Sequence, residues 1–190
     1  AYRIRPVNPQ ARVDFQPTNP RPTSAPGVGG QTRVVGMNLL NFFNTLDTTG
    51  NNCTGGTTGA PTDCRGANTT AEFDRQWRKT VAAVSGTEAD VVAFMEMEND
   101  GYGATSAEQF LVDRLNEADG EGTWSFIDAA ARTGQVDALG SDAIKVGMLY
   151  KPKAVTPVGT TAALNTVDFV NGGDSAPRNR PSLAQAFRDN

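Results

Sequence analysis

The chain has 190 residues, 38% of them apolar and 20% charged, with a net charge of −4 and no histidine. That length supports one domain with a substantial core, and no apolar run approaches the ~18 residues of a membrane span. The acidic balance argues against passive adhesion to nucleic acid, which needs clustered Lys and Arg, but not against an enzyme that meets phosphates through a metal ion.

Residues 1–32 hold most of a proline-rich run, "VNPQARVDFQPTNPRPTSAPGVGGQ". Proline fixes φ and removes backbone donors, so this segment reads as an extended linker or a strap over the domain. The opening "AYRIRPVNPQ" lacks the apolar h-region of a signal peptide, and the chain reads as a mature or excised segment. The domain, 33–190, starts with a short β-branched strand, Arg33 to Met37. Asn38 follows it, and asparagines then recur three apart between large apolar groups in "NLLNFFN". Asparagine is a poor strand former and costly to bury unless its amide is satisfied.

The chain's two cysteines, Cys53 and Cys64, lie in a Gly/Thr/Asn-rich loop without hydrophobic periodicity. A disulfide there would constrain the unfolded chain by roughly 3 kcal/mol. It is favoured over free thiols, and over a zinc site, which needs three or four Cys or His ligands. It implies an oxidising compartment, so a secreted or cell-surface protein. In "NTTAEFDRQWRKTVAAVSG", Thr69 and Glu72 form a capping box, Phe73, Trp77, Val81 and Val84 share one helical face, and Gly86 ends the helix. "ADVVAFMEMEND" begins as an apolar run, as in a strand buried on both faces. Ser106 and Gln109 cap a second helix with Phe110, Leu111 and Leu115 inward. "TWSFID" and "AIKVGMLYKP" read as strands, the latter with Ile144, Val146, Met148 and Tyr150 on alternate positions. Lys153–Pro157 and Ser182–Phe187 complete the strands. This order suggests a layered α/β domain without internal repeats.

Glu96 stands where its strand must end, and Asn38 where the first strand does. The two strands flank one crossover helix, so they can be neighbours with both polar side chains at one sheet edge, where open α/β sheets place ligands. A carboxylate beside an amide oxygen suits Mg²⁺ or Mn²⁺ with several waters retained. The plainer alternative makes Asn38 a turn residue and Glu96 a solvated carboxylate, and spacing alone favours that alternative.

Five ordered blocks, "VVGMNLLNFFNT", "CRGANTTAEFDRQWRKTVAAV", "ADVVAFMEMEN", "SDAIKVGMLYKP" and "RPSLAQAF", resemble the endonuclease/exonuclease/phosphatase (DNase I-like) superfamily, and most of all its bacterial extracellular nuclease branch. The resemblance runs from about Arg33 to Phe187. It implies a layered α/β sandwich of the DNase I-like type, of which this chain is the first half. It also implies that Asn38 and Glu96 help bind the catalytic Mg²⁺ or Mn²⁺, with Asp90 opening the glutamate's strand and Met95 replacing a common glutamine. Asn41, Glu98 and Asn99 are typical of this branch, as direct participants or as local turn and helix-start residues. Arg180 matches a basic residue near the scissile strand's phosphates, or is a solvated arginine. Asp142 borders the site as an outer acid, or is a turn aspartate.

In that superfamily a histidine and aspartates from the second half of the domain handle the proton transfers of phosphodiester hydrolysis. A chain without histidine cannot supply the first of these. The reading is therefore the N-terminal part of a metal-dependent nuclease acting on DNA or RNA, inactive alone and completed by the polypeptide beyond Asn190. Two alternatives remain open at this point: a secreted binding or adhesion module that kept the fold, and a phosphatase of the same superfamily.

Overall fold

The computed structural model describes residues 8, 16, 18, 22–48, 50 and 52–190. Most of the proline-rich segment assigned to 1–32 lies outside the described residues. Its end is tied to the domain, where Thr32 Oγ1 donates to Asp189 Oδ1 at 2.8 Å.

Four strands form a mixed sheet in the order β1, β4, β6, β5. Strand β1 (Val34–Phe42) runs parallel to β4 (Val91–Glu98), and β6 (Ile144–Tyr150) is antiparallel to both β4 and the short β5 (Ser125–Phe126). Helix α1 (Thr70–Gly86) makes the crossover between the parallel pair, so the two strands expected to be neighbours are neighbours. The Thr69 side chain accepts from the Glu72 N–H, as the capping box requires. Helix α2 (Ala107–Asp119) starts at Ser106, whose side chain caps Gln109 in the same way. The chain is thus an α/β domain.

Both helices bury their apolar faces on one side of the sheet. Phe73, Val81 and Val84 of α1 and Leu111, Val112 and Leu115 of α2 pack against Leu39, Val92, Phe94 and Leu149. Phe73 meets Phe42 edge-on with centroids 5.7 Å apart. Gly147 is required here, because a Cβ on it would come within 2.2 Å of the Phe94 ring.

The alternation in β6 resolves against its apolar reading. The residues fully buried beneath the helices are Lys145, Gly147 and Leu149, while Val146, Met148 and Tyr150 are half-buried on the opposite face. That face looks toward a hairpin of β7 (Val155–Leu164) and β8 (Ser182–Asp189), which meets the sheet through Tyr150 and Phe187 at 5.6 Å between centroids. β7 starts two residues later than expected and runs on to Leu164. Pro157 is accommodated within it because each β7 residue pairs with β8 alone in a two-stranded sheet. Helices α3 (Ala129–Thr133) and α4 (Val167–Asn171) are single short turns without a periodic signal.

Cys53 and Cys64 are disulfide-bonded. They flank a minimal ladder of β2 (Cys53–Thr54) and β3 (Pro61–Thr62) and pack with Phe43, Ala143 and Ile144, a small second core. Asp137 gathers the loop between them. Its carboxylate accepts from the N–H and hydroxyl of Thr57 and from those of Thr58. Burial alone would push its carboxyl up, but these donors outweigh that and hold it below the ordinary value.

Lys145 is the most unusual core residue, with its side chain 1% exposed. Its ammonium lies 3.0 Å from Glu108 Oε2, donates to the Gly101 carbonyl at 2.7 Å and sits 3.7 Å from the centre of the Tyr102 ring. Glu108 is fully buried in the first turn of α2. Burial raises its carboxyl to about 7, against the pull of Lys145. Neither Glu108 oxygen has a well-aligned hydrogen bond, so the contact is an ion pair held mainly by proximity. Burying such a pair gains little net stability, but breaking it strands a charge. Glu108→Leu alone should cost about 3–5 kcal/mol, and adding Lys145→Met should recover most of that. Urea denaturation of the wild type, Glu108→Leu, Lys145→Met and the double variant measures the coupling, and losses that simply add would show that the two residues act independently.

Candidate functional site

Asn38 and Glu96, expected to end their strands, lie within them, because β1 runs on to Phe42 and β4 to Glu98 past an irregularity in their pairing. Asn38 pairs with Met95 and Phe42 with Met97, so Leu39, Leu40 and Asn41 of β1 stand opposite the single Glu96. On the other side of β4, Met95 and Glu96 stand opposite the single Val146. Both strands bulge at the same level. Leu40 (φ 57°), Asn41 (φ 49°) and Glu96 (φ 67°) are three of the five described non-glycine residues with positive φ. Each such residue costs on the order of 1–3 kcal/mol, and strain of this kind concentrates at functional sites.

The bulge frees backbone groups, and side chains recapture them. Asn38 Oδ1 accepts the Leu40 N–H at 2.7 Å, and Glu96 Oε2 accepts the Asn41 N–H at 3.1 Å. From α1, Gln76 Nε2 reaches the carbonyls of Leu40 at 2.8 Å, Asn41 at 3.2 Å and Leu39 at 3.4 Å. Asn41 therefore acts here through its backbone. The turn role that the sequence left open for Asn38 is real. Its amide oxygen nevertheless keeps a second lone pair, and Glu96 Oε1 accepts no hydrogen bond among the described residues. Both oxygens belong to half-buried or exposed residues at one sheet edge.

Two residues further along β4 the roles are structural. Glu98 is 1% exposed, and its Oε2 accepts from the N–H groups of Asn44 at 2.9 Å and Thr45 at 3.1 Å, fastening the exit of β1. Asn99 donates to the carbonyls of Gly140 at 2.9 Å and Asp142 at 3.0 Å. Asp90, at the far end of β4, accepts from the Arg33 N–H at 2.8 Å and so serves strand pairing.

Asp142 and Arg180 are neighbours in the fold. Arg180 approaches one Asp142 oxygen at 3.3 Å, and Arg65 approaches the other at 3.2 Å. Asp142 and Arg180 border a cavity of about 510 Å³ that also touches Thr58, Asp137, Asn165 and Asn179. A second hollow, about 370 Å³, lies between the β1 bulge and α1 and is lined by Asn41, Arg65, Glu72, Arg75, Gln76 and Lys79. Arg65 lines this second hollow and meets the first only through its ion pair with Asp142.

Among the described residues no three His, Cys, Asp or Glu side chains converge as a cation cage. An Asn–Glu pair is a smaller donor set that would leave the remaining positions to water. Sequence reasoning passed over Gln76, Arg65, Asp100 and the Lys145–Glu108 pair. Lys145 was signalled by a lysine interrupting an apolar strand. Gln76 carried no signal, because its target is a backbone conformation.

Asp100 caps α2, where its Oδ2 accepts the Ala107 N–H at 2.9 Å, and its Oδ1 is buried without a partner. Burial, then the charge of Glu98, raises its carboxyl from 3.8 to about 6. The folded state therefore binds this proton more tightly than the unfolded chain. Stability contributed by Asp100 is fully present below about 3.8 and lost as pH rises through about 6. Asp100→Asn keeps the cap acceptor and removes the titration. The melting temperature of the wild type should fall relative to that variant between about pH 4 and 7 and run parallel above it. A constant gap across that range would show that Asp100 does not titrate there. No family model, curated protein or solved structure matches the chain.

Proposed function

We propose that the chain is the metal-binding part of a divalent-cation-dependent phosphodiester hydrolase, a secreted nuclease acting on DNA or RNA. The observation that carries this reading is the paired bulge, which interrupts the β1–β4 ladder between Asn38 and Glu96 and holds Leu40, Asn41 and Glu96 in left-handed backbone. A fold that needed only to end two strands would not require three left-handed residues side by side. The donors suit the group: one carboxylate and one amide oxygen are hard ligands of the kind Mg²⁺ and Mn²⁺ take, with water completing the set. Bound there, such a cation would offset charge on the phosphoryl group under attack.

The chain's own residues have distinct parts in this scheme. The Asn41 N–H fixes one oxygen of Glu96 and so aims the other. Gln76 holds the bulge in place against α1. Arg180 in the larger cavity and Arg65 in the hollow beside the bulge both pair with Asp142 and can orient phosphates of a substrate strand. Under this reading the proton-transferring histidine of such hydrolases has no counterpart among these 190 residues. The disulfide between Cys53 and Cys64 suits the secreted location.

Glu96→Gln tests the reading at its centre. Glutamine retains an oxygen for the Asn41 N–H while removing the charge. Mn²⁺ binding by this chain, followed by electron paramagnetic resonance, should be abolished, while the melting temperature should stay level or rise slightly as a site charge disappears. In any active nuclease that contains this chain, hydrolysis of DNA should fall by orders of magnitude. Unchanged Mn²⁺ binding would sink the metal role, and loss of fold along with binding would return Glu96 to a purely structural part.

A further inference from the structure

We propose that the groove between the β1 bulge and α1 is a subsite for the sugar–phosphate backbone of a nucleic-acid strand, holding phosphates to one side of Glu96. This rests on the nuclease reading above and adds where the strand lies and how it is recognised. The groove holds three cations, Arg65, Arg75 and Lys79, against one carboxylate, Glu72. Glu72 is already engaged, since its Oε2 accepts the Asn68 N–H at 3.0 Å as part of the helix cap. Arg75 and Lys79 are exposed and form no ion pair among the described residues. Four residues apart on α1, they project from one face about 6 Å apart along the axis. Arg65 faces them from the loop after Cys64. Its pair with Asp142 is solvent-exposed at 43% and worth little, so a phosphate can compete for it.

Position is the second part of the argument. Asn41 lines the groove, and its N–H is 3.1 Å from the carboxylate of Glu96. Lys79 also lines a smaller hollow, about 210 Å³, together with Asn38. The groove therefore abuts both candidate metal ligands. Arg65 continues the cationic path through Asp142 to Arg180. The lining contains no aromatic ring for a base to stack on, and the Gln76 amide is turned inward to the bulge carbonyls. Recognition is thus by phosphate charge, without base readout.

The test uses a fluorescein-labelled single-stranded DNA 20-mer and this chain in EDTA, with anisotropy titrations at several salt concentrations. Arg75→Ala with Lys79→Ala should weaken binding by about tenfold and flatten the salt slope by about 1.4, at roughly 0.7 per lost phosphate contact. Lys153→Ala with Arg188→Ala removes the same charge from exposed positions elsewhere and should leave the slope in place. Inorganic polyphosphate should compete, and a second oligonucleotide of different sequence should bind equally. Absence of binding by the wild type, or equal losses in the two double variants, would overturn the groove. Mn²⁺ binding of the wild type and of Glu96→Gln, measured separately without EDTA, reports on the catalytic reading alone: if it is the same in both, that reading fails, while strand binding weakened only by the Arg75 and Lys79 substitutions leaves the groove in place.

Discussion

Backbone groups freed where β1 leaves β4 must find partners, and much of the edge of this domain is arranged around that need. A parallel ladder satisfies its N–H and C=O groups only while the strands keep register. Past Asn38 the register slips by two residues, and three positions of β1 face Glu96 alone. Asn38, Glu96 and Gln76 take up the donors and acceptors that the ladder drops. The same contacts fix the β1 bulge against α1, and hence one wall of the cationic groove. Structural necessity and ligand geometry are therefore not rival explanations for Asn38 and Glu96. A side chain locked by one hydrogen bond is better aimed with its remaining lone pair.

Below that edge, polar burial continues into the core. Glu98, Asp100, Glu108 and Lys145 interact in sequence: Glu98 raises the carboxyl of Asp100, and Lys145 opposes the burial of both Asp100 and Glu108. Burial likewise pushes the Tyr102 hydroxyl far upward, with Glu108 adding to it. Three carboxylates and one lysine make an incompletely balanced set, and the unpartnered Asp100 and Glu108 oxygens record this. Such a set restricts the packing that the core can adopt, since any slip of α2 along β6 would part Glu108 from Lys145. The cost is a stability that depends on protonation.

What the sequence revealed follows from which forces are local. Both long helices were legible because Thr69 and Ser106 announce their starts and apolar residues recur on one face. The adjacency of β1 and β4 followed from one intervening helix, and the Cys53–Cys64 bridge from a loop with no other means of order. The bulge was not legible, since nothing in "NLLNFF" distinguishes a continued strand from one with Leu40 and Asn41 in left-handed backbone. Nor was the inward face of β6, where an apolar alternation on Val146, Met148 and Tyr150 concealed the burial of Lys145 by a partner 37 residues earlier in the chain. Asp137 likewise reads as a loop residue until the fold brings Thr57 and Thr58 to it.

Net charge misleads about this molecule for a related reason. At −4 the whole chain repels a polyanion weakly at long range, but screening confines each charge to within roughly 8–10 Å at moderate salt. Inside that radius the sign of a groove is set by the few side chains lining it. Arg65, Arg75 and Lys79 are distributed over a loop and a helix, so no window of sequence shows a basic cluster; the turn of α1 and the loop after Cys64 create one. The acidic remainder then has a consequence of its own. Under the proposed function, it would disfavour nonspecific wrapping of a strand around the domain and leave the groove lined by Arg65, Arg75 and Lys79 as the favoured approach.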